Sequence, residues 1–522
     1  MTTTAYRSLV RSGGDGFART LRAEWVKFRT VRGWVIGMIV AVLAIVALGL
    51  GPSSSGSCGM NGPASACTQL LGPGGEAVTD SFYFAHQTLD GNGTITVRVT
   101  SLTGLIPDFS GSGGSNAPQT QRGLVPWAKA GIIIKASTRQ GSAYAAMMVT
   151  ASHGVRMQYD YTGDAPGLAG AVSVTSPRWL RLTRAGDTLT GYDSADGVTW
   201  TRVGVATLAG LASTVQGGLF ATSPPYWQAS GGGTSVSGGA SQATGVFDHV
   251  GLFGTWRGAG WTGTAIGDAG GPAAGSPGSL ADAGGRVTVT GTGDIAPSVA
   301  GAAGLGVTIT QTLIGVFAGL IAVAVVGAMF MTAEYRRGLI RVTFAATPRR
   351  GRVLAAKAVV IAAVTFVAGL VSAAVVVTLG QRMLRSRGVY VWPVTALTEV
   401  RVIVGTAAVL AIAAVIALAI GTIARRGAAA VAAVIVVIVL PYLLTVTTPL
   451  LPPGPTDWLA RVTPAAAFAV QQTLIQYSQV SNLYTPSGGY YPLPPWAGLA
   501  VLCGWAAVAL AVAAFLLRRR DA

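Results

Sequence analysis

The chain has 522 residues, 51% of them hydrophobic and 11% charged, with a mean hydropathy of +0.54. That balance excludes an ordinary soluble protein and predicts a polytopic membrane protein with a further domain attached. The formal charge of +17 raises nucleic acid as a partner, but in a chain that spans a membrane an excess of basic residues serves first as a topology signal.

In chain order, "FARTLRAEWVKFRTVRGW" places Phe17, Leu21, Trp25, Phe28 and Val31 on one stripe of a helix, with Arg19, Arg22 and Arg29 away from it. This is the pattern of an interfacial helix lying on the inner leaflet. A bilayer core about 30 Å thick needs roughly 20 apolar helical residues, and six windows qualify: 34–51, 306–331, 354–379, 402–424, 428–450 and 496–517. No small-residue cleavage site follows the first, which reads as a signal anchor.

With residues 1–33 placed inside, the inner segments hold 19 basic residues against four acids, whereas residues 52–304 hold 12 basic and 13 acidic. The positive-inside rule is satisfied with both termini cytoplasmic, and nucleic acid is no longer needed as a partner. Arg382, Arg385 and Arg387 fall in a loop that this scheme puts outside and run against it. The scarcity of ionisable residues within the windows argues against an ion-coupled carrier. No GxxxxGK followed by Ser or Thr occurs, so a P-loop ATPase is excluded and the chain is not expected to be an enzyme.

Residues 52–79 form an expected extracellular linker, in which Cys58 and Cys67 are either a disulfide or two free thiols. From 80 to 256 the pattern changes to alternating strands and turns. "AGIIIKAS" (130–137), "AYAAMMVTA" (143–151) and "RWLRLTRAGDTLTGYDSADGVTW" (178–200) carry it best. The last, with "PWAKAGIIIK" (126–135), is similar to concanavalin A-like lectin/glucanase domains, which implies an all-β extracellular jelly roll or β-sandwich. Glu76 is the only glutamate of this insert, so the paired glutamates typical of lectin-fold glucanases are lacking and, unless aspartates substitute, no catalytic residue is expected. His86, His153 and His249 are too scattered to predict a metal site. Trp127, Trp179 and Trp200 either face a ligand such as a glycan or fill the core. Residues 257–304 read as a Gly-rich linker with one membrane-proximal strand, and 305–522 as transmembrane helices two to six.

Between the second and third windows lies "TAEYRRGLIRVTFAATPRRGRVLAAK", with seven basic residues and one acid. On charge alone this is a stop-transfer cluster. Its order of Glu334, Arg336, Arg337 and Gly338, then Pro348, Arg349 and Arg350, then Lys357 resembles the cytoplasmic loop of ABC type 2 exporter permeases. The Glu24, Trp25, Lys27 and Arg29 pattern resembles the elbow helix of the same family. The resemblance implies a six-helix permease without a cofactor of its own, coupled through that loop to a separate ATP-binding subunit that holds ATP and magnesium. It also implies pairing of two permeases, and a re-entrant segment at 457–480. Polar positions such as Thr308, Thr310, Gln311, Thr445 and Thr447 are its candidate pathway residues. The alternative is a membrane-anchored glycan-binding or sensing protein of the bacterial plasma membrane that does not transport.

Overall fold

The computed structural model describes residues 16–55, 69–109, 119–230, 235–267, 278–300, 306–346, 349–447, 453–480, 484, 486 and 489–519. Two compact units emerge: one of residues 1–64, 306–474 and 484–522, the other of residues 65–305 and 475–483. Cys58, Cys67 and Pro348 lie outside the described residues.

The first unit is helical. α1 (Phe17–Thr30) ends where Val31 turns extended, and α2 (Arg32–Ser55) starts at once. A short helical lead-in over residues 309–315 runs into α3 (Val316–Arg336), which is followed by the eight-residue α4 (Leu339–Ala346), α5 (Arg350–Ser386) and α6 (Ala396–Ala424). α7 (Gly427–Val434) runs on through π-helical turns either side of Pro441, whose missing N–H breaks the regular ladder. α8 (Pro453–Val462) precedes a 3-10 stretch, Pro464–Gln471, and α9 (Pro495–Arg519) closes the unit.

Six of these helices are long and apolar enough to cross a membrane. At 37 residues α5 would be about 55 Å long, more than a bilayer core, so its two ends and their charges reach beyond the hydrocarbon. α6 starts where the Thr395 side chain accepts the Thr398 N–H, with Glu399 in the first turn beside the positive end of the helix dipole. Helix contacts rest on small residues. A Cβ on Gly327 would stand 2.5 Å from the Ala414 carbonyl oxygen, and one on Gly421 would stand 2.6 Å from that of Ala328, so α3 and α6 touch backbone to backbone. The expected re-entrant segment divides: 464–471 is wholly buried in the helical unit, whereas 475–483 belongs to the second unit.

The second unit is antiparallel β throughout its strands. These are β1 (Val78–Asp80), β2 (Phe82–Pro107), β3 (Thr120–Arg122), β4 (Lys129–Lys135), β5 (Tyr144–Thr150), β6 (Val155–Tyr159), β7 (Gly163–Pro166), β8 (Arg178–Ala185), β9 (Thr188–Ser194), β10 (Thr201–Thr207), β11 (Thr214–Thr222), β12 (Tyr226–Ser230), β13 (Ser235–Gly239), β14 (Gln242–Ile266), β15 (Ser279–Ala283), β16 (Arg286–Gly291) and β17 (Ile295–Pro297). The main sheet runs β10-β9-β8-β2-β11-β4-β5-β6-β7, with β14 along β2 and β16 and β15 beyond it.

The long strand β2 serves two layers. Its first part pairs with β11, its second with β8, and Gly91 at φ +68° lies between them. β14 follows it through four register shifts, which bend the pair. The layers meet over Leu89, Ile95, Val97, Ile132, Ile134, Met147, Leu180, Leu182 and Leu219. Gly191 of β9 approaches the Met147 and Met157 sulfurs so closely that a Cβ there would lie 2.4 Å from the first. The opposite face of β4, β5 and β11 has its own core, in which Phe84, Ile133, Met148 and Phe220 are covered by Val78 and Ile295.

The strands expected between 94 and 223 are present, and Gly186, at φ +63°, makes the predicted turn. The expected linker at 257–304 is corrected. Residues 262–266 pair with Phe82–His86, and 279–291 extend the sheet, so the β unit does not end at 256. Their Gly, Ser and Thr content reads as loop because half of a surface strand needs no apolar side chain.

Candidate functional site, a four-charge cluster at the helix ends

α1 and the ends of α3 and α5 bring four charges together. The Lys357 ammonium lies 2.7 Å from Glu24 Oε2 and 2.7 Å from Glu334 Oε1. Lys27 reaches the same carboxylates, at 2.8 Å from Glu24 Oε1 and 3.1 Å from Glu334 Oε1. The two carboxylates thus share two cations, and the cluster is neutral by count. Lys357 is 0% exposed, whereas Lys27 keeps 41% of its side chain in the open.

Sequence spacing sets this up locally. Glu24 and Phe28 are one helical turn apart and both point inward from α1. Phe330 and Glu334 do the same from α3. Phe330 then becomes the floor of the cluster: Lys357 Nζ sits 4.4 Å from its ring centroid, and Phe28 and Trp34 meet it edge-on at 5.6 and 6.0 Å. Taking ions out of water costs several kcal/mol each, so the arrangement holds only because each charge is matched. Burial alone would lower the Lys27 ammonium, but the hydrogen bond and charge of Glu24, with Glu334 behind it, hold it above its ordinary value. Beside the cluster is a cavity of about 420 Å³ whose wall includes Trp34, Phe330, Arg337, Leu339 and Val342.

The residues expected to contact an ATPase therefore separate into two groups. The Glu334 and Lys357 side chains are turned into the molecule, whereas Arg336, Arg337 and Arg349 are exposed. Gly338, at φ +65°, is exposed and reverses the chain between α3 and α4 in a conformation that other residues adopt at a cost. Arg350 donates to the Leu517 carbonyl and lies over Phe344. Of the expected elbow residues, Glu24 and Lys27 belong to the cluster, Trp25 is 45% exposed, and Arg29 is exposed. The predicted apolar stripe is accordingly split, with Phe28 buried and Phe17 and Trp25 outward.

Sequence reasoning placed Glu24 and Glu334 in different functional groups and missed their union across 307 to 333 residues of chain. One signal was available: the chain holds only four lysines beside 32 arginines, and each of the four is ion-paired to a carboxylate.

Of the polar candidates for a pathway, the Thr310, Gln311 and Thr445 side chains are occupied in packing. Thr310 donates to the Gln471 carbonyl, Gln471 to Thr406, and Thr445 to the Pro441 carbonyl, while Gln311 accepts the Thr308 N–H. In the β unit, the Arg181 guanidinium carbon is 3.8 Å from the Trp200 centroid. Arg98 lies over Trp179 and forms a two-pronged pair with Asp248 at 2.7 and 2.7 Å. Trp127 is buried and stacks on His153 with ring centroids 3.8 Å apart. Among the described residues no group of His, Cys, Asp and Glu could hold a metal ion.

Apolar helices with this charged junction define a polytopic membrane protein with an inserted β unit. The model of the ABC-2 family transporter proteins matches residues 26–522, and the chain belongs to that family. Membership supports an ABC permease role and implies an ATP-binding partner. No curated protein matches the sequence. Among solved structures, a functionally unknown protein from Saccharomyces cerevisiae is 18% identical, with a TM-score of 0.21 over 34% of this chain and 76% of that one. Scytalido-glutamic peptidase with a transition state analog inhibitor is 9% identical, with a TM-score of 0.24 over 40% of this chain and 98% of that one. Scores this low bear on neither fold nor function.

Proposed function

We propose that the chain is the membrane subunit of an ATP-driven exporter of the bacterial plasma membrane. It works as a homodimer or heterodimer of permeases, and a separate subunit binds magnesium and ATP and hydrolyses the nucleotide. The reading puts both termini and the loop 337–349 in the cytoplasm and the β unit, taken as a concanavalin A-like jelly roll, outside. The observation that carries it is the cluster of Glu24, Lys27, Glu334 and Lys357. It clamps α1 to the helices flanking the loop, so that a push on Arg336, Arg337 or Arg349 moves three helices together instead of bending one. The chain itself performs no catalytic step. Trp200 beside Arg181 and Trp179 beside Arg98 support stacking of a glycan on the β unit.

Co-purification with a co-expressed ABC ATP-binding subunit tests the reading. The triple variant Arg336→Ala, Arg337→Ala, Arg349→Ala should lose the ATPase while its melting temperature holds, because these side chains are exposed. Retention of the ATPase by the triple variant would refute docking on this loop. If the wild type also retains none, the membrane-anchored glycan-binding reading gains.

A further inference from the structure

Lys135 ends β4, Asp80 ends β1, and both side chains are 0% exposed with Nζ 2.7 Å from Oδ2. The two carboxyl oxygens differ sharply. Oδ2 accepts hydrogen bonds from the Gly141 N–H at 2.8 Å and the Tyr161 hydroxyl at 2.8 Å, besides the lysine. Oδ1 is buried with no partner. Nζ also faces the Ser142 carbonyl at 3.0 Å and the Tyr161 hydroxyl at 3.2 Å, between the rings of Tyr144 and Tyr161 at 5.8 and 5.7 Å.

An ion pair so enclosed keeps two charges where water cannot solvate them. Burial pushes the Lys135 ammonium below its ordinary value, with the Asp80 charge opposing it. Proton transfer from nitrogen to carboxylate leaves a neutral amine against a neutral acid, the pair from which an amide forms.

We propose that Lys135 and Asp80 condense to an intramolecular isopeptide bond that staples β1 to β4. Nζ attacks Cγ, and the developing negative charge falls on Oδ2, where the Gly141 N–H and the Tyr161 hydroxyl stabilise it. The Cγ–Oδ1 bond breaks, and Oδ1 leaves as water with two of the three ammonium protons. The third stays on the amide nitrogen, within reach of the Ser142 carbonyl. Ammonium and carboxylate give amide and water, so no oxidant or outside reagent is required.

A control sits on the same sheet face. Lys129 lies 2.7 Å from Asp294 Oδ1, but that oxygen accepts only the Ile295 N–H beside the lysine, and no hydroxyl reaches it among the hydrogen bonds described. That pair is expected to stay ionic.

The test is the mass of the full-length protein, purified in detergent, thiols reduced and chain denatured, with peptide mapping. The expected result is a chain one water lighter than its sequence and a branched peptide joining the fragments that hold Asp80 and Lys135. Lys135→Arg, which keeps the cation, should restore the full sequence mass, and Tyr161→Phe should raise the uncondensed fraction in freshly made protein. A wild-type chain of full mass, with Asp80 and Lys135 in separate linear peptides, overturns the proposal. So does a water loss that maps to another pair, and neither readout depends on a variant folding.

Discussion

Both units bury lysine against carboxylate, and they do so in different ways. In the helical unit two lysines and two glutamates form one network that ties α1, α3 and α5, with Lys27 still touching water. In the β unit each buried lysine has its own aspartate, and Lys135 with Asp80 is sealed completely. A network with one wet member can rearrange without stranding a charge. A sealed pair cannot, and it fixes the segments it joins.

The largest effect is expected at Lys357. Lys357→Met leaves Glu24 and Glu334 facing each other below the surface and should destabilise the helical unit by about 3–5 kcal/mol, read from thermal unfolding in detergent. Adding Glu24→Gln should return part of that loss, whereas a second loss of equal size would mean the four groups do not act as one network.

Packing in the β unit gives the next effect. Leu182→Ala opens a cavity between the two layers, where Leu182 is fully buried, and should cost about 3 kcal/mol. A loss under about 1 kcal/mol would mean that the layers do not meet there. Lys27 should matter less. Lys357 still serves both carboxylates and 41% of the Lys27 side chain is exposed, so Lys27→Ala should cost only about 1 kcal/mol after screening by solvent.

The smallest effect is set by pH. Asp196, in the turn after β9, accepts the Thr199 and Val198 N–H groups and the Ser194 hydroxyl, which hold its carboxyl down at about 2. A carboxyl held below its unfolded value stabilises the fold above that value, about 3.9, and the contribution fades as pH falls through about 2. The melting-temperature gap between wild type and Asp196→Ala should therefore be constant above about pH 5 and shrink from pH 4 to pH 2. A gap that stays constant across that range would remove the carboxylate from the account.

Local pattern made much of this legible. The turn at Gly186 and the strand "KAGIIIK" follow from residues within a few positions of one another, whereas the break at Val31, a residue that the apolar stripe placed on the helix, does not. Residues 262–266 and 279–283 were not legible, because strands with so few apolar side chains are held by hydrogen bonds to β2 and β16 and not by their own side chains. Glu334 and Lys357 were recognisable as residues of note, but the direction in which they face was not: a charge at a helix end looks the same whether it meets solvent or an opposite charge.

Short stretches carry the membrane crossing, the charge bias and the start of the β insert, since apolar length, basic loops and alternation are local properties. Only the tertiary structure decided which charges are sealed. Ion pairing between residues 55 to 333 positions apart depends on which helix ends and strand edges the packing of Phe28 on Phe330, and of β1 on β17, brings within 3 Å.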